Sequence, residues 1–339
     1  MADIRWKRYK SYSGPAITGK VRIPPPVSDQ SIERQWWLTT RVETGGTYGT
    51  VVMFDGTAVT AGPDQFILVY PRELQSEDFN AADDQGLLGK LLARLFTVDT
   101  AAMVPKKAAL QNAFSSEGWY LSPVGRLHYS DARAVFVGGQ KVKVRPGDLV
   151  HGAVIRNAVT PTDGTVPRTG TAWARSSAWC QTFHEVFAEP TGFSVQDAFG
   201  IEHLVKAYQA PRVRVDGRRV SVEALMFGTD VASWKASKIG MDLDLALAVW
   251  YSNSVNAPAI ALRCMESALL SCGKDALFPK RLIRALGESN WGRWNASDRN
   301  GRYQRTRTLA MRSTLWPKHL FEGSSAIMPA VIPLEGLHV

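Results

Sequence analysis

Residues 31–62, SIERQWWLTTRVETGGTYGTVVMFDGTAVTAG, carry the pattern that decides the fold. Ile32, Trp36, Thr40 and Glu43 fall at i, i+4, i+8 and i+11, one face of a helical period, so the first part predicts a helix over 31–43. Gly45-Gly46 ends it, as glycine just past a helix end commonly does. β-prone runs follow over 47–54 and 57–61, separated by Asp55-Gly56, a strong hairpin signal. A glutamate thus closes an amphipathic helix, an aspartate sits at a hairpin tip, and Thr60 lies on the returning strand.

Working outward, a helix is expected over 87–96, where Leu87, Leu88, Leu91, Leu92 and Leu95 recur at helical spacing. From about residue 118 to 170 the chain is rich in Gly, Pro, Val and Thr. Short strands are expected there at 135–137, 142–144 and 150–155, between Gly-Gly and Pro-Gly turns. Helices return over 173–187, 194–209 and 242–251. A further helix is capped by Asn256, has Pro258 in its first turn, and runs to about residue 270. A basic, aromatic helical piece closes the chain near Trp316. Before residue 31, Pro24-Pro25-Pro26 favours an extended arm. The expected organisation is α+β: an extended arm at 1–30, a mainly helical body from 31–115 and 193–320, a β-rich insertion at 116–192, and a tail at 321–339.

The 339 residues are 45% hydrophobic and 21% charged, ordinary globular composition with material for a sizeable core. No apolar run is long enough to span a membrane. The charged start, Met1 to Lys10, has no apolar stretch behind it, so no secretory leader is expected. Cys180, Cys264 and Cys272 are too few for a disulfide framework and are expected to be reduced. Cys180 and His184 share a helix face but lack a second pair, so a packed thiol is expected rather than a metal ligand. No nucleophile elbow, P-loop, HExxH or dinucleotide fingerprint is present, and the reading calls for no cofactor and no metal. The formal charge of +9 draws the chain to polyanions, among them cell-wall polymers and nucleic acid. Part of it lies in Arg299, Arg302, Arg305, Arg307 and Arg312, expected on a solvated helix face.

Glycosidic cleavage needs one carboxylic acid to protonate the leaving oxygen and a second carboxylate to activate water or stabilise the oxocarbenium-like state. Glu43 and Asp55 offer such a pair. Placing Glu43 on the face of Ile32 and Trp36, at the negative end of the helix dipole, favours its protonated form. Glu73, Glu77, Asp78, Asp83 and Asp84 are further carboxylates, and one of them is an alternative for the second role. The plainer reading makes Glu43 an exposed helix end and Asp55 a turn former.

Helix, glutamate, hairpin, aspartate and Thr60-Ala61-Gly62 together resemble the active-site entry of phage-type lysozymes. The resemblance implies a lysozyme-like body with Glu43 as general acid, Asp55 as second carboxylate and Thr60 helping to hold the attacking water. Trp291, Trp294, Asn295, Arg305-Thr306-Arg307-Thr308 and Trp316 are similar to the closing helices of that family. The chain departs from the pattern in its longer Glu43-to-Asp55 spacing and in Pro63-Asp64 after Gly62, where a Gly-His pair often stands. The implied partner is bacterial cell-wall glycan, a substrate that the eleven tryptophans suit. Delivery without a leader implies synthesis in the cytoplasm and action on the wall after lysis or by a phage tail or contractile injection particle, whose proteins are then partners. The alternatives are a non-catalytic structural or glycan-binding protein of such a particle and, third, a nucleic-acid-binding protein.

Overall fold

The computed structural model describes residues 29–44, 46–52, 58–69, 84–159, 178–209, 212–215, 218–221, 236–255, 258–272, 277–289 and 306–310. In chain order the elements are α1 (Asp29–Thr44), β1 (Val51–Val52), β2 (Thr60–Ala61), β3 (Phe66–Ile67), α2 (Leu87–Leu95), α3 (Met103–Ser116), β4 (Trp119–Leu121), β5 (Leu127–Tyr129), β6 (Arg133–Val137) and β7 (Gln140–Val144). They continue with α4 (Gly152–Val159), α5 (Ala178–Phe187), a 3-10 turn (Pro190–Gly192), α6 (Phe193–Gln209), β8 (Arg212–Val215), β9 (Arg218–Ser221), α7 (Ala236–Ser254), α8 (Pro258–Cys272) and α9 (Phe278–Glu288). The fold is mixed, helices with small antiparallel sheets, in the α+β class. Among the described residues no helix is long and apolar enough to cross a membrane.

The described residues form two compact units, one drawn from 29–46 and 200–310 and the other from 47–199. The first unit is helical. Its centre is α7, where Leu245 to Tyr251 are buried without a break, so the helix is enclosed by others on all sides. α1, α8 and α9 pack against it. The Trp250 indole donates to Ala261 O of α8 at 3.1 Å, which satisfies its N–H inside the core. Ser252 Oγ lies 3.2 Å from Thr306 Oγ1, tying the helical stretch 306–310 to the same helix. Trp36 of α1 covers Gly200 of α6 so closely that a Cβ at that position would strike the indole ring.

The second unit holds the sheets. β1, β2 and β3 form one antiparallel sheet with β2 in the middle, in the register Val52↔Thr60↔Ile67. α5 packs on β1 and β2, and α3 packs on α5 and β4. Phe114, Trp119, Trp179 and Phe183 bring their rings to 5.7–6.3 Å of one another across that junction. α2 belongs here rather than with the later helices. Gly89 admits the backbone of Gly125 against its helix, and Leu95 and Met103 pack on Gly192. Residues 47–115, expected to share a body with 193–320, therefore fall with 116–199.

Two expectations for the middle of the chain differ. The hairpin over 135–144 is present as β6–β7. Of the run 150–155, expected as a strand, residues 152–155 are instead the start of α4. Asp84 reaches across sequence to accept from the Gly152 amide with both carboxyl oxygens at 3.1 Å, supplying the cap that β-branched residues alone do not announce. Buried Gly152, Ile155 and Val159 then sit at helical spacing.

Gln85 holds the same region together. Its amide donates to Leu127 O at 2.9 Å and to Val150 O at 3.0 Å, and accepts from Leu127 N at 2.7 Å. Gln85→Leu keeps the volume and strands the Leu127 amide and the Val150 carbonyl. A cost of about 2–4 kcal/mol is expected, since each buried group left unsatisfied costs about 1–3 kcal/mol. Urea unfolding with an unchanged slope and a lower midpoint checks it; a midpoint equal to wild type contradicts it.

Lys106 and Glu189 form a partly buried ion pair that closes α3 onto the 3-10 turn, where Glu189 also accepts from Thr191 N. The Lys106 hydrogen bond holds the Glu189 carboxyl below its ordinary value. Its stabilising contribution is therefore full above about pH 5 and is lost as pH falls through the depressed value. Burial instead raises the Asp84 carboxyl, so Asp84 favours the fold at low pH and opposes it as pH rises through its folded value. Lys106→Met removes the largest cause of the Glu189 depression and leaves Asp84 untouched. The expected result is a smaller difference in melting temperature between pH 7 and pH 3 than in wild type, and an equal difference refutes it.

Candidate active site

Glu43 stands in the last turn of α1. From Gln35 to Thr44 every residue except Arg41 is buried, well beyond the single face that the period of the sequence marks. Two of its buried threonines turn their hydroxyls back into the helix. Thr40 Oγ1 donates to Trp37 O and Thr44 Oγ1 to Thr40 O, each at 3.1 Å. Gly46, at φ +80°, bonds Thr40 O through its amide at 2.9 Å and turns the chain out of the helix. Glu43 is 2% exposed. Among the described residues of the first unit, one other charged side chain is as deeply buried, Arg307 at 4%. Arg307 is thus a core residue rather than part of a solvated basic face; Arg299, Arg302, Arg305 and Arg312 lie outside the described residues.

Thr60 belongs to the second unit. It is on β2, the middle strand, 2% exposed, and its hydroxyl has no hydrogen-bond partner among the described residues. A buried hydroxyl left open in this way is a place for a water or a ligand atom. Ala58, two residues before it, has φ +65°, a left-handed conformation that costs an alanine about 1 kcal/mol. Such strain concentrates at functional loops. The sheet rests on a fixed frame. Tyr48 stacks on Phe193 at 4.0 Å and donates to both Asp197 carboxyl oxygens at 2.8 and 3.0 Å. His184 Nδ1 donates to Gly49 O at 2.5 Å, and Gln196 donates to Phe187 O at 2.8 Å. Against Gly62, a Cβ would sit 3.3 Å from the Phe187 ring, and φ there is +85°.

Of the three site residues expected from sequence, Glu43 and Thr60 are described, each in its own unit, and Asp55 lies outside the described residues. So do Glu73, Glu77, Asp78 and Asp83, together with Trp291, Trp294, Asn295 and Trp316. Asp84 is engaged at the start of α4. Sequence reasoning passed over Asp64, 3% exposed in the turn between β2 and β3. Its signal was the Gly62-Pro63-Asp64 step, read only as a departure from a pattern. The plan of a single hairpin also lacked β3. Cys180 is buried, its thiol pushed up to about 11 by loss of solvent, and Cys180, Cys264 and Cys272 are all free thiols. With its neighbour His184 bonded to a backbone carbonyl, Cys180 is a packing residue. The chain matches no family model, no curated protein and no solved structure.

Proposed function

We propose that the chain is a glycoside hydrolase that cleaves bacterial cell-wall peptidoglycan, with Glu43 as its general acid. The observation that carries the reading is a carboxyl group 2% exposed at the end of a helix, followed directly in sequence by an antiparallel sheet whose middle strand bears Thr60. An ionised carboxylate is disfavoured away from water and at the negative end of a helix, and a general acid must hold its proton at working pH. The order helix, glutamate, sheet, threonine also supports the likeness to phage-type lysozymes.

In this mechanism the Glu43 carboxylic acid gives its proton to the glycosidic oxygen as the bond from that oxygen to the anomeric carbon breaks. Water adds to the anomeric carbon from the opposite face and passes its proton to the Asp55 carboxylate. Thr60 accepts or donates to that water through its hydroxyl and so positions it. Configuration at the anomeric carbon inverts, and carboxyl groups about 6.5–9.5 Å apart leave room for the water. The route to the wall is release at lysis or carriage on a phage tail or contractile injection particle.

The test is a peptidoglycan zymogram with wild type and Glu43→Gln side by side, with a chitin plate as specificity control. Clearing by wild type and none by the variant supports the proposal. No clearing by folded wild type favours a non-catalytic glycan-binding role, and equal clearing by both removes Glu43 from the chemistry.

A further inference from the structure

Within the first unit, α8 and α9 bound a groove of about 590 Å3 that no step of the proposed hydrolysis uses. Both helices are amphipathic. α8 buries Ala261, Cys264, Met265 and Ala268, and α9 buries Phe278, Leu282, Ile283 and Leu286. What remains outside forms two rails. On α8, Arg263, Ser267 and Ser271 follow one another at i, i+4 and i+8; on α9, Arg281, Arg284 and Glu288 follow at i, i+3 and i+7. All six are exposed. Arg284 is bound to Glu288, its Nε 2.6 Å from a carboxyl oxygen. Arg263 and Arg281 have no acidic partner among the described residues. The rails are about 12 Å long at the helical rise per residue, room for a short run of a narrow chain.

The chemistry of the lining selects among anions. Guanidinium groups match phosphate in shape and charge, and serine hydroxyls add donors that a phosphate or a polyol accepts. Among the described residues no lining residue is aromatic, whereas single-stranded nucleic acid is held by stacking its bases on aromatic rings in a basic groove. A concave site of this size does not admit a duplex, whose grooves take in protein elements rather than the reverse. A thin phosphodiester chain without bases fits both conditions.

We propose that this groove binds a polyol-phosphate polymer of the bacterial cell wall, with Arg263 and Arg281 as the charge-pairing groups. The wall as the source rests on the proposed function; the anion site does not. Binding would hold the chain at the wall independently of the glycan-cleaving site.

The test is titration of the full chain with purified poly(glycerol phosphate) over a range of salt. A single-stranded oligothymidylate of equal phosphate count forms the second arm. Wild type is expected to bind the polyol phosphate more tightly than the oligothymidylate. Arg263→Gln with Arg281→Gln should weaken polyol-phosphate binding about tenfold or more and flatten the dependence of log K on log salt by about one unit or more. Glu288→Gln releases Arg284 and removes a negative charge, so it should tighten binding, a gain that misfolding does not produce. The proposal is overturned if the double variant binds like wild type, if Glu288→Gln fails to tighten binding, or if the oligothymidylate binds more tightly than the polyol phosphate. Glu43→Gln should leave the titration unchanged, so failure of the hydrolase reading, seen in the zymogram, is distinct from failure of this one.

Discussion

Glu43→Gln abolishes clearing of peptidoglycan and leaves the circular dichroism spectrum of the chain unchanged: this is the expected result with the largest effect on activity. Glutamine keeps the size of the side chain and its capacity to hydrogen bond at the end of α1, where the residue is buried. It lacks the transferable proton. General acid catalysis contributes about 10² to 10⁴ in rate, so residual turnover should approach background. Two companion variants grade the mechanism. Asp55→Asn should also lower turnover severely, because an amide neither takes a proton from water nor stabilises positive charge at the anomeric carbon. Thr60→Val should act more mildly, since it removes a positioning hydroxyl and keeps the volume in the middle strand. If Thr60→Val is as damaging as Glu43→Gln in a folded protein, the division of roles is wrong. If Glu43→Gln retains wild-type clearing, the proposed mechanism fails at its first step.

How far the sequence announces this architecture depends on where the information lies. α1 was legible because its apolar spacing and its glycine stop are local, and the β1–β2 pairing was legible from Asp55-Gly56 between β-prone runs. β3 was not, because Phe66–Ile67 is too short to show alternation and exists through its ladder with Thr60 and Ala61. α3 was missed for a related reason: its buried residues are Met103, Leu110 and Phe114, too sparse to mark a face. α4 was misread as a strand because its cap comes from Asp84, far away in sequence. β8–β9 was overlooked although Asp216-Gly217 stands between them, the same signal that was used at Asp55-Gly56. At the site, the glutamate was found because a carboxylate on an apolar face breaks a local rule. The burial of Arg307 was not, because a stretch with five arginines reads as solvated surface, whereas the contact of Thr306 with Ser252 ties it to the buried helix α7.

That burial leads to the second large effect, on stability. Among the described residues of the first unit, Glu43 and Arg307 are the two buried ionisable side chains, one acidic and one basic. Both lie on elements that meet α7, α1 by packing along it and 306–310 through the Ser252–Thr306 hydroxyl contact. A buried arginine stays charged, whereas a buried carboxyl takes up a proton unless a cation near it favours the ionised form. Arg307→Met keeps much of the side-chain volume and removes a buried group that stays charged at every working pH. A loss of about 1–3 kcal/mol is expected, since core groups that meet the guanidinium are left unsatisfied. Adding Glu43→Gln to Arg307→Met tests whether the two side chains share one environment, since a guanidinium beside a carboxyl favours its ionised form. The double-mutant cycle in urea is then non-additive by about 1–3 kcal/mol, as for residues that share one electrostatic environment. Activity separates this from catalysis: both Glu43→Gln proteins are inactive, whereas Arg307→Met alone retains its acid and is impaired mainly through stability and through the ease with which Glu43 gives up its proton. A shift of its pH–rate profile relative to wild type is the kinetic sign of that influence. Additive single effects within about 0.5 kcal/mol, with an unshifted profile, would show that the two charges are independent and that Arg307 serves packing alone.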